Sequence, residues 1–379
     1  MGLWVDAEDA LGDSTQAAIY RDFAARLKTS FNRPISEGGF WNPTNQWYAY
    51  WRDKDGSIHG DNLVIPVNFA AIAYGLCDDP ARQKAILDRI ELEMQKEKLF
   101  IWPLNFFPYQ RQEGAGSNFP FPNYENGDLF LSWGEVGVRA YAAYDPALAL
   151  KYIKNTLARY DEDGLSFQRY LRNDQKGAGD DILAGNCMAI VGLYRDIYGI
   201  QPKPNRLYLE PHLTSELNGT KLRYPLRGQF YEIELSTEGC AITTGDCTLR
   251  DSHPFGVNAI AKGFEYFPDT NADWAMAVSR PTAQSLTVQI GSWPTDPEAP
   301  RQWTETSLQA DGTTLHVVKH LRPNAIYELK TNGRIINSLR ADKTGRIEFA
   351  CKRDYAVPQK FELSLVIGAE SAMQNSLPH

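Results

Sequence analysis

Residues 62–77 read NLVIPVNFAAIAYGLC, apolar on nearly every side. A segment hydrophobic all round is a buried helix, and Pro66 is tolerated near its start because the first turn holds N–H groups with no intrahelical partner. Residues 80–99 follow and are charged on one side, as an outer helix is. The alternation repeats, with residues 128–144 apolar and rich in small side chains, 146–160 amphipathic and 180–198 apolar again. Ahead of them, residues 14–32 put Ala18, Tyr20, Phe23, Leu27 and Phe31 on one broad face. Alternating buried and amphipathic helices form stacked hairpins whose buried members line an inner ring, and such hairpins close into toroids or solenoids. No fixed repeat of about 30–45 residues recurs, which favours a closed α/α barrel.

The texture changes at residues 201–212, QPKPNRLYLEPH, where two prolines in four residues close the helical region. Beyond them the apolar period falls to two. KLRYPLRGQFYEIELST, SLTVQIGSW, TTLHVVKHL, AIYELKTNGRIINSLRA, GRIEFAC and KFELSLVIG read as strands, with Asn332-Gly333 as a tight hairpin turn. The expected organisation is therefore a mainly α part, an α/α toroid of helical hairpins over residues 1–204, followed by an antiparallel β-sandwich over 205–379.

Composition excludes several classes. The 39 Lys and Arg against 47 Asp and Glu leave a net charge of −8, with no basic surface able to neutralise a run of phosphates, so nucleic acid is not an expected partner. Five cysteines at irregular spacing, with no C-x-x-C pair, indicate neither a disulfide framework nor a structural metal. Neither a metal nor a cofactor is expected, because no Walker loop, dinucleotide glycine motif, G-x-S-x-G elbow or H-E-x-x-H occurs. The N-terminal MGLWVDAEDALGD has no basic n-region or apolar h-region, and no apolar stretch reaches about 18 residues. A cytoplasmic chain with no membrane partner is expected, unless residue 1 falls in mid-domain and an export signal precedes it.

The chemistry is expected in two long, aromatic, glycine-rich connections, residues 33–61 and 100–127. The first holds Trp41, Trp47, Tyr50, Trp51 and Arg52, and the second holds Trp102 and Tyr124. Flat rings stacked on sugar faces, with carboxylates, Asn and Arg bonding hydroxyls, are what a saccharide groove requires. Residues 40–58 also read as a hairpin around Asp55-Gly56, with one edge left to face a ligand. Carboxylates stand where three buried helices are expected to begin: Asp61 with Asn62, Glu125 with Asn126, and Asp180 with Asp181. Asp61 and Asp180 are either N-caps or ligand contacts. Glu135, after Trp133, falls inside a buried helix, where an ionised carboxylate is costly. Either it pairs with Arg139 at i+4, or it faces the mouth of the ring and acts in catalysis. Glycoside hydrolysis needs two carboxyl groups, which this wealth of acids fits.

The segments ALGD (10–13), AAIYRDFAARLKTSFN (17–32), WYAYWRDKDG (47–56), ENGDLF (125–130) and AGNCMAIVGLYRDIYGIQPKPNRLYLEPHL (184–213) resemble the six-hairpin glycosidase superfamily. The likeness is nearest to the cellobiose-phosphorylase-like branch and related inverting glycosidases, and it spans residues 8–212. It implies a glycoside hydrolase acting on an oligo- or polysaccharide by inversion, with Glu125 or Glu135 activating water. Two departures bear on this. Leu131-Ser132-Trp133-Gly134 and Ala184-Gly185-Asn186 stand where the phosphorylases carry phosphate-binding residues, so hydrolysis comes ahead of the alternative, an oligosaccharide phosphorylase. Only six helices precede the β-region, and the family's general acid lies ahead of the segment that ALGD resembles. The resemblance thus implies a partial barrel, completed by an upstream segment or a second chain. A non-catalytic carbohydrate-binding remnant is the further alternative.

Overall fold

The computed structural model describes residues 2–180, 185–268, 273–281 and 285–366. The chain divides into two compact units, Met1–Gly199 and Ile200–His379.

The first unit is helical. Helices α1 (Gly2–Leu11) and α2 (Ser14–Phe31) form a hairpin, followed by α3 (Ile65–Ala73), α4 (Pro80–Glu97), α5 (Gly114–Asn118), α6 (Gly134–Ala142), α7 (Pro146–Asp163) and α8 (Met188–Gly192), the last running into a π-turn, Leu193–Ile197. The two outer helices start alike. Asp79 caps α4 and Asp145 caps α7, each accepting two backbone N–H bonds, with proline next in the chain. The apolar α6 lies at the centre and packs on α3, α7 and α8. Glycines let it approach closely. A Cβ at Gly137 would lie 2.3 Å from the Trp102 ring, and one at Gly192 would lie 2.7 Å from Val138.

The buried helices are shorter than their apolar runs. Residues 62–63 form a turn and Val64 is extended, bonded to the loop that follows α4, because Leu63 has φ 53° and cannot continue a helix. Ahead of α6, a 3-10 turn (Leu131–Trp133) takes up the residues expected to be helical. The expected 40–58 hairpin is instead two short ladders, Trp41–Asn42 with Trp47–Tyr48 and Trp51–Arg52 with Ile58–His59.

The second unit carries two sheets. One has nine described strands, ordered Arg334–Arg340, Ile326–Thr331, Gln359–Leu365, Arg301–Thr306, Leu286–Ser292, Cys247–Asp251, Gly239–Thr244, Gln229–Ser236 and Thr220–Leu226. The other has seven, from Ile347–Asp354 through Asp311–Val318 to Ile200–Pro202. Side chains of the two meet around Trp303, whose ring lies 5.9 Å from His316 and 6.5 Å from Phe349. One pairing departs from the antiparallel expectation: Cys247–Asp251 runs parallel to Leu286–Ser292. All five cysteines are free thiols, four of them buried. No helix among the described residues is long and apolar enough to cross a membrane.

Candidate functional site

The two long connections of the helical unit run side by side. Ile65 donates to Leu104 O at 2.9 Å, Phe106 to Leu63 O at 3.3 Å and Phe107 to Asn62 O at 3.2 Å. This ladder sets Asp61 beside residues 107–113. Asp61 is half-buried and accepts from Asn42 Nδ2 at 2.5 Å, Asn45 Nδ2 at 2.9 Å and Trp47 Nε1 at 2.9 Å. Burial pushes its carboxyl above the usual range, the three donors oppose that, and the charge of Glu113 adds to the rise. Among the described residues no arginine or lysine pairs with it. An acid held only by neutral donors keeps a lone pair for a further donor, such as a sugar hydroxyl.

Rings surround this acid. Trp47 stacks with Phe107 at 6.0 Å, Trp51 stacks on His59 at 5.0 Å, and Tyr109 lies 6.2 Å from Trp51. Tyr50 stands at a right angle to Trp51 and is about half exposed. Burial raises the Tyr109 hydroxyl well above its ordinary value, and the neighbouring Tyr50, Glu113 and Glu125 charges act in the same direction. Glu125 itself is exposed on a 3-10 turn, Tyr124–Asn126. Asp61, Glu113, Glu125, Tyr50, Trp51 and Tyr109 therefore form one neighbourhood.

Other residues named from sequence have structural positions. Trp41 is buried under Arg82, 4.6 Å from its ring. Trp102 is in the core, between Phe69 at 4.9 Å and Tyr152 at 4.3 Å. Asn62 is buried and donates to Phe107 O at 2.8 Å. Asn126 is buried too, bonding Asn105, the Tyr109 N–H and Phe119 O. Tyr124 lies half-buried with Arg169 over its ring. The Arg52 guanidinium donates to the carbonyls of Gly56, Ile35 and Gly39. These residues shape the loops from beneath.

The helix-start assignment is corrected. The caps of α3 and α8 are Val64 and Cys187, neither making a side-chain cap bond, so neither Asp61 nor Asp180 caps a buried helix. Asp180 is exposed, and Asp181 lies outside the described residues. Trp133 is partly exposed at the N-terminus of α6. Glu135 takes the ion-pair alternative. It is bonded by Arg139, has Arg195 at 3.6 Å, and shares Arg139 with Asp196, which accepts from Nε at 2.9 Å. Desolvation lifts Asp196 to about 6 against the pull of Arg139.

Glu113, His59 and Asp196 were not picked out from sequence. Glu113 and His59 are 54 residues apart and meet only once the loops fold together. The visible signal was a lone acid in the glycine-bearing stretch RQEGAGS. Cavities of about 430, 360 and 260 Å³ occur in the second unit, and no residue singled out above for chemistry lines them. Among the described residues no group of three or more His, Cys, Asp or Glu could hold a metal ion. No protein-family model matches the chain, and no curated protein matches it.

Proposed function

We propose that the chain acts on saccharides as a glycoside hydrolase, with its site on the paired loops around Asp61, and that its helices belong to an α/α toroid. The supporting observation is the company Asp61 keeps: three neutral donors, one of them the buried Trp47 indole, the Trp51 and Tyr109 rings, and the nearby acids Glu113 and Glu125. Rings of this kind stack on the apolar faces of a sugar, while Asp61 accepts from its hydroxyls. Glu125 is assigned the base, since it is exposed beside Tyr109, whereas Arg139 occupies Glu135. In an inverting displacement Glu125 takes a proton from water as that water attacks the anomeric carbon. The leaving oxygen requires a proton from a second carboxyl group, which we assign to no residue of this chain.

Reducing-sugar release from neutral oligosaccharides tests the proposal. Glu125→Gln should lower turnover by about 10²–10⁴-fold with binding retained, as loss of a general base does. Turnover unchanged in that variant, or sugar phosphate as product in phosphate buffer, would refute the hydrolytic assignment. A binding module without catalysis is the second reading, favoured by the pairing of Glu135 with Arg139. It predicts saccharide affinity and no turnover in the wild-type chain.

A further inference from the structure

We propose that His59 is a proton-dependent clasp that holds the two aromatic loops of the candidate site together. Its Nδ1 lies 3.2 Å from Glu113 Oε1, and its Nε2 lies 3.1 Å from both Asp53 Oδ2 and Ser57 Oγ. The Ser57 hydroxyl is spent on Asp55 Oδ1 at 2.6 Å, so toward His59 it offers only lone pairs. Both ring nitrogens thus face acceptors. Only the imidazolium, with an N–H on each nitrogen, can donate to both sides. A neutral ring keeps a single N–H; on Nδ1 it still bonds Glu113, but without charge assistance and with the Nε2 lone pair turned onto Asp53 and Ser57.

The arms differ in weight. Asp53 is mostly exposed and its bond is screened by water, whereas Glu113 is buried and belongs to the opposite loop. Glu113 also organises that loop, accepting from the Gln110 N–H at 3.0 Å through Oε2, while its own carbonyl accepts from the Gly116 N–H at 2.7 Å. Trp51 completes the joint. Its ring stacks on the imidazole at an interplanar angle of 19°, an arrangement that favours a cation, and it lies against Gly114 on its other contacts. The remaining charged neighbours are Asp55 and Arg52 on the hairpin and Asp61 beside Glu113; Arg52 is engaged by backbone carbonyls and neutralises none of these acids. Tyr109, the other titratable neighbour, stays protonated because burial raises it.

The clasp is tight while His59 carries its second proton and loosens when that proton is lost. Its effect on saccharide affinity rests on the function proposed above, but the clasp itself does not. Hydrogen exchange in the absence of any sugar is the test, comparing wild type with His59→Gln at about pH 5.5 and about pH 8. At the lower pH the amides of Gln110 and Gly116 should exchange about tenfold more slowly in wild type, the factor one charge-assisted bond supplies. At the higher pH, where only an uncharged bond to Glu113 is left, the difference should shrink several-fold. Glu113→Gln, which removes the buried charge and keeps the side chain's size, should likewise abolish the pH dependence. Equal protection in wild type and variants at both values, or a difference independent of pH, would overturn the proposal. A pH-dependent clasp in a protein that binds no neutral oligosaccharide would uphold the clasp and remove the saccharide reading.

Discussion

Arg139 is shared by Glu135 and Asp196, and the arrangement assigns the two acids different behaviour. Asp196 is raised to about 6, so between about pH 4 and 6 the folded chain binds a proton that the unfolded chain does not. Stability should therefore fall as pH rises across that window, by at most about 3 kcal/mol from this group. Asp196→Asn should remove that component, which urea denaturation at several pH values would reveal; an unchanged slope would contradict the origin given. Glu135→Gln should cost about 1–3 kcal/mol of stability, because a buried ion pair loses one charge. Any turnover should persist in it within about threefold. A much larger loss of turnover at unaltered stability would return Glu135 to the chemistry. The i, i+4 spacing made the pairing with Arg139 legible in sequence, but Asp196 lies 57 residues beyond Arg139 and no local pattern brings it there.

At the level of elements, the amphipathic helices were the most legible, since residues 14–32, 80–99 and 146–160 correspond to α2, α4 and α7, although of the face expected on α2 Ala18, Phe23 and Leu27 are exposed and Ala17 is the buried residue instead. The apolar runs extend beyond the helices they contain, α3 and α6. Periodicity cannot find the end of a segment that is apolar all round, and at Leu63 and at Leu131–Trp133 tertiary hydrogen bonding and 3-10 geometry prevail over the hydrophobic signal. In the β-region the missed strands include Gly239–Thr244, Cys247–Asp251 and Phe255–Ile260. The second of these joins its parallel partner only across 34 residues of intervening chain, a pairing that local alternation cannot announce. The close packing of α6 gives a direct test. Gly137→Ala forces a methyl group into the Trp102 ring and should destabilise the protein by about 1–3 kcal/mol in urea melts. Asp145→Ala, which uncaps α7, should cost about 1 kcal/mol.

For the molecule as a whole, the change from helical period to strand period was visible around residues 201–212, and a helical unit followed by a sheet-rich unit is what the chain forms. The candidate site was legible as two aromatic, acid-bearing loops, although Trp41, Trp47 and Trp102 are buried in the packing beneath it and Glu113 and His59 complete it. Composition marks rings and acids, but which of them face outward is decided by the ladder between residues 62–65 and 104–107. The central claim is that this loop pair holds a saccharide. Calorimetric titration of neutral oligosaccharides into wild type and Trp51→Ala tests it, with Phe230→Ala, an exposed ring of the second unit, as control. Loss of a stacking ring should weaken binding about tenfold or more in Trp51→Ala and leave Phe230→Ala unchanged. Binding that is absent in wild type, or equal in Trp51→Ala and wild type, would contradict it.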